Sequence, residues 1–438
     1  MPATLAPSPP DVAVALPARF ARCRRSTLRL AQPLHPEDMV VQTCPSVSPT
    51  KWHLAHTTWF FERFVLDRFV DGYRPYHPAY EFLFNSYYDT VGPQHCRGAR
   101  GDVSRPTVED VLDYRRVVDE RVHHLLGAPH DEATRRELAA LIELGVQHEQ
   151  QHQELMVTDI KHVLSSNPLL PAYHELEPRP VATPPAVGWR RVDEGLYEIG
   201  FEGAGDDDHA GGFCFDNETP RHRVFLHGFE IADRLVTNGE FLAFLQDGGY
   251  DRPELWLSAG FATVQAEPWR HPMYWYRDGG KWMQYTLGGA VELDPCEPAS
   301  HLSYFEADAY ARWAGARLPR EAEWEVAAAG QPVAGPHQDA WRFHPEPDAP
   351  GDAGDPPPLR QLYGHVWQWT LSQYEPYPGY RPLPGSLGEY NGKFMCNQFV
   401  LRGSSCATPA DHARPTYRNF FEPEARWQFT GLRLARDA

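Results

Sequence analysis

A proline-rich segment divides this sequence into two parts with different residue patterns. The segment NPLLPAYHELEPRPVATPPAVGW carries prolines at positions 168, 171, 178, 180, 184 and 185. A proline inside a helix removes a hydrogen bond and clashes with the preceding turn, so no helix continues through this spacing. We therefore interpret residues 168–188 as a linker between two domains, residues 1–167 and residues 189–438.

The part before the linker has the periodicity of helices. Apolar residues recur three and four apart in SPTKWHLAHTTWFFERFVLDRF, SRPTVEDVLDYRRVVDERVHHLLG and DEATRRELAALIELGVQHEQQHQELMVTDIKHVL. Ser48 is the predicted N-cap of the first of these helices, with Pro49 at its first helical position. Together with an earlier helix near residues 14–32, these segments predict a four-helix bundle.

The part after the linker consists of short β-like runs that are broken by Gly, Pro and Asn. Two helices stand out in it, SYFEADAYARWAGA and REAEWEVAAAG. Residues 330–358 are rich in Pro, Gly and Asp, a composition that indicates a long surface loop. The fold class expected for the whole chain is a helical bundle followed by an α+β domain.

Charge and composition exclude several classes of partner. The formal net charge of −18 argues against nucleic acid and against an anionic membrane surface. No apolar run approaches the roughly 18 residues of a membrane span, and the first residues lack the basic start of a secretory signal. The seven cysteines are scattered with no CxxC pair, which favours a reducing, cytoplasmic location.

The candidate metal site is the motif His148-Glu-Gln-Gln-His152 on the third helix. Histidines four apart lie on one helix face, so both imidazoles can meet one ion. His56 lies on the apolar face of its own helix and is the third candidate ligand, whereas His53 falls off that stripe and is expected to face outward. Three imidazoles with open positions suit Zn, Cu or Fe(II). The alternative is a group of core histidines that bind no metal.

The same motif also has the HExxH pattern of zinc hydrolases. Such enzymes need a third ligand downstream, and the nearest candidates, Glu175 and Glu177, lie in the linker. Glu149 points about 100° away from His148 around the helix, so we expect it to be structural and not a catalytic base. The hydrolase is therefore disfavoured. A lectin-like binding module joined to a metal-storing bundle is a further, non-enzymatic alternative.

Several motifs resemble one known family. SPTKWHLAHTTWFFE and HEQQHQEL resemble the DinB-like bundle of the sulfoxide synthases that make ergothioneine and ovothiol. The formylglycine-generating-enzyme fold, a C-type-lectin-like domain, is resembled by FDNETPRHRVFLHGFEIADRLVTNGEFLAFL, ARLPREAEWEVAAAG, YGHVWQWT, VLRGSS and GLRLA. The resemblance covers nearly the whole chain. Because ovothiol-type synthases usually add a methyltransferase domain and this sequence ends at GLRLARDA, the ergothioneine type is expected.

The resemblance implies an oxidoreductase with a non-haem Fe(II) that is held by His56, His148 and His152. The implied reaction joins the sulfur of a thiol to an imidazole carbon of hercynine (trimethylhistidine), consumes O₂ and yields a sulfoxide. Holding both substrates on one ion removes much of the entropy barrier. A sibling enzyme of the same fold would instead use a selenium donor such as a selenosugar.

The resemblance also implies substrate contacts within the bundle. Gln151 is expected to hydrogen-bond the substrate imidazole. One of Tyr87 and Tyr88, in the motif NSYY, is expected to supply a proton or hydrogen atom. Arg97 and Arg100 are expected to pair with carboxylates of the thiol substrate, a task that suits the guanidinium fork.

The segment TYRNFFEPEARWQFTG resembles the hercynine-binding loop of the family. Asn419 is expected to read the carboxylate of hercynine, and Phe420 to line the pocket for its quaternary ammonium group. Phe421 stands where the branch that uses γ-glutamylcysteine has Asp. This difference favours cysteine over γ-glutamylcysteine as the thiol, held with the help of Arg426.

A copper site of the formylglycine-generating type is not expected. Such sites use two cysteines five apart, and RGSSCATPADH offers Cys406 followed by Asp411. The second domain is therefore expected to act as a scaffold and substrate wall.

Overall fold

The computed structural model describes residues 12–177, 186–203, 212–348 and 358–438, with side chains from residue 16 onward. The chain divides into two compact units, Met1–Val163 and Leu164–Ala438. The predicted linker and the predicted loop at 330–358 lie partly outside the described residues. The described part of the first unit is helical and the second unit mixes helices and sheets, so the predicted fold class is confirmed.

Within its described residues, the first unit contains four long helices and two short ones. They are α1 (Val12–Ala31), α2 (Thr50–Phe61), α3 (Asp67–Phe69), α4 (Tyr80–Phe84), α5 (Val108–Gly127) and α6 (Glu132–Ser165). A π-helical turn, Glu62–Leu66, continues α2 into α3. A 3₁₀ segment, Arg97–Asp102, lies between α4 and α5. The predicted helices of the bundle are present, within a few residues of their predicted ends.

Helices α5 and α2 begin in different ways. Thr107 caps α5 in a capping box, in which Asp110 N donates to Thr107 Oγ1 and Thr107 N donates to the Asp110 carboxylate. The predicted N-cap of α2 is wrong, because Pro49 occupies the cap position. Ser48 has tertiary partners instead: its N–H donates to Asp159 and its hydroxyl accepts from Arg100.

Helix α2 is buried on every side, since all twelve of its residues are buried. An apolar stripe shows which side of a helix faces the core only when another side faces solvent. Helix α2 has no side that faces solvent. Helix α6 packs closely against one side of α2, because any side chain at Gly145 would clash with the ring of Phe61. Polar residues of α2 must therefore find partners inside the bundle.

A buried carboxylate joins the four long helices. Glu149 of α6 accepts from Arg24 of α1 at 2.8 Å and from Arg115 of α5. Arg24 also donates to Thr58 of α2 at 2.9 Å and to Asp119 of α5 at 2.6 Å. Burial by itself raises the pKa of Glu149, but the charges of Arg115 and Arg24 outweigh it and bring that pKa to about 2. Glu149 is therefore ionised at neutral pH and holds two cations in the core.

The second unit contains twelve short strands and four helices within its described residues. The strands are β1 (Trp189–Val192), β2 (Gly195–Ile199), β3 (His222–Leu226), β4 (Phe229–Ala232), β5 (Trp275–Asp278), β6 (Lys281–Thr286), β7 (Gly289–Glu292), β8 (Trp367–Gln373), β9 (Phe399–Gly403), β10 (Asn419–Phe421), β11 (Thr430–Gly431) and β12 (Ala435–Asp437). They form sheets in the orders β1-β4-β12, β10-β9-β8-β11, β2-β3 and β5-β6-β7. Only β8 and β11 pair in parallel among these described strands.

Two of the four helices were expected. They are α9 (Tyr304–Trp313) and α10 (Glu321–Ala328), and Trp324 of α10 packs in the core against strands β3 and β4. Sequence analysis missed α7 (Asn238–Gln246) and α8 (Ser258–Ala266) because apolar runs of this length also suit buried strands. Thr237 and Glu240 form a capping box at α7, a signal that would have found it. Within the described residues, no helix is both long and apolar enough to cross a membrane.

The Glu149 network generates a prediction about stability. Replacing Glu149 by Gln leaves Arg24 and Arg115 buried without the charge between them, so the free energy of unfolding should fall by about 3–5 kcal/mol. Urea denaturation followed by circular dichroism measures this change. Glu137→Gln is the matched control, since Glu137 pairs with Arg68 on the surface and should change stability by less than about 1 kcal/mol. Similar small changes in both variants would contradict the network's role.

Candidate metal centre

Three histidines converge inside the helical unit. His56 lies on α2, and His148 and His152 lie one turn apart on α6. All three are buried, and their ligand atoms lie within 4.8 Å of one another. They form the one group of three or more potential metal ligands found among the described residues. The structure thus brings together the three histidines that the sequence selected.

Hydrogen bonds orient one of these rings toward the others. His56 Nδ1 lies 2.6 Å from the carbonyl oxygen of Phe84, which can only accept, so Nδ1 carries the proton. His56 Nε2 then presents its lone pair, and it lies 3.2 Å from His148 Nε2. The two Nε2 atoms therefore face each other.

The electrostatic surroundings keep the cluster uncharged. Burial lowers the pKa of His148 to about 3. Burial, followed by the effect of His148, lowers the pKa of His56 well below its usual range, and burial with both neighbours does the same for the pKa of His152. Neutral imidazole is the form that binds metals.

This arrangement fits a metal ion. Two nitrogens bound to one ion at about 2.1 Å lie roughly 3 to 3.5 Å apart, and the His56–His148 contact of 3.2 Å falls in that range. Burying three neutral imidazoles together costs free energy unless their nitrogens are satisfied, and a bound metal ion would satisfy them. Residues His56, His148 and His152 would hold the ion.

The surroundings of Glu149 differ from those of a hydrolase base. Its carboxylate is fully buried and is engaged by Arg24, Arg115 and Thr27. A general base must reach a water or substrate and accept its proton. With its pKa near 2 and both oxygens occupied, Glu149 is unsuited to that task. The contacts are those of the structural residue that the sequence predicted.

The expectation that His53 faces outward is wrong. His53 is 2 % exposed, and its ring contacts His152 and Asp159. The prediction failed because α2 has no solvent face to which His53 could point. Sequence reasoning missed Asp159 altogether. The available signal was its position seven residues after His152, which places both on the same face of α6 two turns apart.

Of the two predicted substrate arginines, Arg100 is buried and Arg97 is exposed. Arg97 donates to the carbonyl of Ser46. The guanidinium of Arg100 lies 3.4 Å from the ring centroid of Trp52, and Trp52 stacks on His56 with centroids 4.6 Å apart. Arg100 is thus separated from His56 by one aromatic ring.

The charge of Arg100 is not neutralised by an ion pair with any described residue. Its guanidinium donates to the hydroxyls of Ser48 and Ser86, both at 2.9 Å. Burial lowers the pKa of Arg100 to about 9, so it still carries its charge at neutral pH. Asp159 is near enough to act on this charge but does not pair with the guanidinium directly, which leaves room for an anionic ligand.

Tyr87 and Tyr88 have different surroundings. Tyr88 is 1 % exposed and packs against Trp59 and Phe64, with centroids 5.8 and 5.1 Å away. Tyr87 is half-buried, and its ring centroid lies 6.5 Å from that of His56. Its φ of 55° is in the left-handed region, which costs on the order of 1–3 kcal/mol for a residue with a side chain. The ring of Tyr87 is therefore in contact with that of His56, a member of the three-histidine cluster.

The remaining predicted site residues lie as follows. Gln151 is half-buried on α6 beside His152. In the second unit, Phe420 of β10 stacks on Tyr374 with centroids 4.0 Å apart, and Asn419 Oδ1 accepts from the Phe420 N–H. Arg426 is buried and pairs with Glu306 at 2.8 Å. Unlike Arg100, Arg426 has a carboxylate partner of its own. Their substrate contacts stay predictions.

Comparisons with known proteins agree with this architecture. Residues 19–156 match the DinB superfamily, and residues 174–438 match the sulfatase-modifying factor enzyme 1-like domain. The fold and the site thus define a DinB-type bundle with a buried three-histidine centre, joined to a sulfatase-modifying-factor-type domain.

Relatives extend the match over nearly the whole chain. The hercynine oxygenase of Mycolicibacterium smegmatis is 32% identical over 441 residues, covering 95% of this chain and 97% of that protein. That of Mycolicibacterium thermoresistibile is 33% identical over 458 residues, covering 97% and 96%. The formylglycine-generating enzyme of Streptomyces coelicolor is 36% identical over 305 residues, covering 60% of this chain and 93% of that protein. The chain belongs to the hercynine oxygenase family, which confirms the predicted resemblance.

The convergence of the three imidazoles predicts metal binding that depends on each of them. Replacing His56, His148 or His152 by Ala should abolish stoichiometric binding of Fe(II), because two imidazoles alone hold it weakly. Metal content after anaerobic loading and desalting measures the effect, and His35→Ala, which alters an exposed histidine of the same unit, should bind normally. Full Fe(II) content in His56→Ala would show that the ligand set is wrong. Ring nitrogens should lie about 2.0–2.3 Å from the bound ion.

Proposed function

We propose that this protein is an Fe(II)-dependent oxygenase that joins the sulfur of a thiol to an imidazole carbon of hercynine and forms a sulfoxide. The observation that carries the proposal is the buried set of three neutral histidines in a chain that aligns with hercynine oxygenases over 95% of its length. We also propose a cytoplasmic location, which the scattered cysteines favour.

The proposed metal is iron because the named relatives are oxygenases. Zinc does not change its oxidation state, so a zinc site of the same shape would not serve oxidation by O₂. When bound, Fe(II) supplies the redox chemistry with O₂ and keeps the donor sulfur deprotonated. The three histidines are neutral, so this ligand set leaves the charge of the ion uncompensated and favours an anionic substrate beside it.

Arg100 supports an anionic donor. Its buried charge has hydroxyl partners but no ion-pairing carboxylate among the described residues, and it is separated from His56 by the ring of Trp52. A carboxylate of the thiol would complete the pairing of this guanidinium. Because the Arg100 charge is fixed by packing before the substrate arrives, the donor would bind in one orientation with its sulfur toward the histidines.

Cysteine is the proposed donor. The side chain of Phe421, at the position where the other branch has Asp, is apolar and lies beside Trp427, with ring centroids 5.8 Å apart. An apolar ring at this position offers no charge for the amino group of a γ-glutamyl extension. Gln151, Asn419 and Phe420 are the proposed contacts to hercynine.

Tyr87 is the proposed proton or hydrogen donor. Its ring lies against that of His56, while the ring of Tyr88 packs among Trp59 and Phe64. The left-handed backbone at Tyr87 is strained, and strain of this kind is kept where a side chain must be aimed. The phenol can supply a proton or hydrogen atom during coupling, and without it the thiol alone would be oxidised.

The test is a donor panel under controlled oxygen. Protein loaded anaerobically with Fe(II) is mixed with hercynine and with cysteine, γ-glutamylcysteine or a selenosugar; O₂ is then added and product masses are read. O₂ uptake should require Fe(II), hercynine and the donor together, and cysteine should give the largest yield of sulfoxide. Peptide hydrolysis by the zinc-loaded protein without O₂ would instead identify a hydrolase. Metal binding with neither reaction would indicate a non-enzymatic module.

The surroundings of Arg100 predict a selective defect in donor binding. Arg100→Gln should raise the KM for the thiol about 10- to 100-fold, because a charged hydrogen bond is worth about 1.5–3 kcal/mol. Fe(II) content and the KM for hercynine should change little. Arg116→Gln, at an exposed arginine of α5, is the control and should match the wild type. An unchanged KM for the thiol in Arg100→Gln would exclude this anion site.

The tyrosine pair predicts a change in product rather than in binding. Tyr87→Phe removes only a hydroxyl, so the ratio of sulfoxide to thiol-derived sulfinate should fall steeply. Tyr88→Phe, at the neighbouring buried ring, is the matched control and should keep the wild-type ratio. Chromatography of both products measures the ratio. If the double variant keeps the wild-type ratio, the donor is a different group.

A further inference from the structure

The ring of His152 contacts a second imidazole that is not part of the three-histidine set. His152 Nδ1 lies 2.8 Å from His53 Nδ1, and His53 Nε2 lies 3.0 Å from Asp159 Oδ2. The three side chains are 2–3 % exposed. A continuous line of hydrogen bonds therefore runs from a buried carboxylate through one histidine to a candidate metal ligand.

The carboxylate of Asp159 decides which nitrogen donates in each of these hydrogen bonds. An ionised carboxylate only accepts hydrogen bonds, so His53 Nε2 carries a proton. With that single proton, His53 accepts at Nδ1, and in this tautomer the 2.8 Å contact takes its proton from His152 Nδ1. His152 consequently presents the lone pair of Nε2. This is the tautomer that binding through Nε2 needs.

The carboxylate is held firmly at its end of the line. Asp159 Oδ2 also accepts the backbone N–H of Ser48 at 2.8 Å. Ser48 directly precedes the N-cap of α2, and His53 lies within α2. Asp159 of α6 therefore binds both the His53 ring and the segment that leads into α2.

We propose that His53 and Asp159 are positioning residues of the metal centre, which hold His152 in its ligating tautomer and strengthen it as a donor. The inference rests on the proposed metal centre. The carbonyl of Phe84 accepts a hydrogen bond from His56 Nδ1 in the same way. Two of the three candidate ligands therefore have an acceptor at Nδ1, the ring nitrogen opposite the one that would bind the metal. A carboxylate-backed imidazole differs from a carbonyl-backed one because the negative charge is transmitted toward the metal.

A purely structural role makes different predictions. A hydrogen-bonded group that only joined α2 to α6 would affect the free energy of unfolding and leave metal affinity unchanged. A positioning role changes metal affinity even where the fold is kept. Asp159→Asn separates the two, because the amide oxygen can still accept from His53 and Ser48 while the charge is lost.

The experiment measures the dissociation constant for Fe(II) alone. Full-length protein without metal is titrated anaerobically in competition with a chromogenic chelator, and urea denaturation is followed in parallel. Outer partners of metal ligands typically contribute 10- to 100-fold in affinity. We expect the dissociation constant to rise about 10-fold in Asp159→Asn and about 100-fold in His53→Phe. His162→Phe, three residues from Asp159 on α6 and bonded to Thr43, should bind like the wild type.

The double variant tests whether the residues act in series. If Asp159 acts only through His53, adding Asp159→Asn to His53→Phe should weaken binding no further. Multiplication of the two single effects would overturn the series arrangement. Wild-type affinity in Asp159→Asn and in His53→Phe would overturn the inference while leaving the metal centre intact. Failure of the wild type itself to bind Fe(II) would overturn both this inference and the proposed function.

Discussion

The carboxylate of Glu149 between Arg24 and Arg115 is the interaction on which the helical unit depends. It draws on α1, α5 and α6 directly and reaches α2 through Arg24 and Thr58. Two buried cations and one buried anion are stable only with these hydrogen bonds in place, so the rotation of α6 about its axis is fixed. His148 follows Gln147 and precedes Glu149, and with Glu149 turned to α1 and α5, His148 faces α2.

The glutamate of the HExxH pattern therefore has different surroundings here from those in a zinc hydrolase. In a zinc hydrolase the glutamate faces the same cleft as the metal, whereas Glu149 faces the core and orients the helix that carries both histidines. The pattern specifies two imidazoles one turn apart and says nothing about where the intervening carboxylate goes. Its arginine partners, 125 and 34 residues away in the sequence, decide that.

Charge around the metal centre is arranged asymmetrically. The histidines are neutral because burial lowers their pKa values, while Arg100 keeps its charge behind the ring of Trp52. Asp159 lies near Arg100, since both contact Ser48, and it reaches the cluster through His53. The neutral imidazoles therefore have one buried cation and one carboxylate near them.

The sequence by itself determined the order of a helical bundle and an α+β domain, and it selected His56, His148 and His152. Helical periodicity and an i,i+4 pair are local patterns, and local patterns are legible without a structure. Only the tertiary structure decided the partners: Asp159 meets His53 from 106 residues away and Ser48 from 111. The prediction that His53 faces outward failed for the same reason. A helix that is buried on every side has no solvent face from which its orientation could be read, so packing against other helices decides what each of its side chains touches.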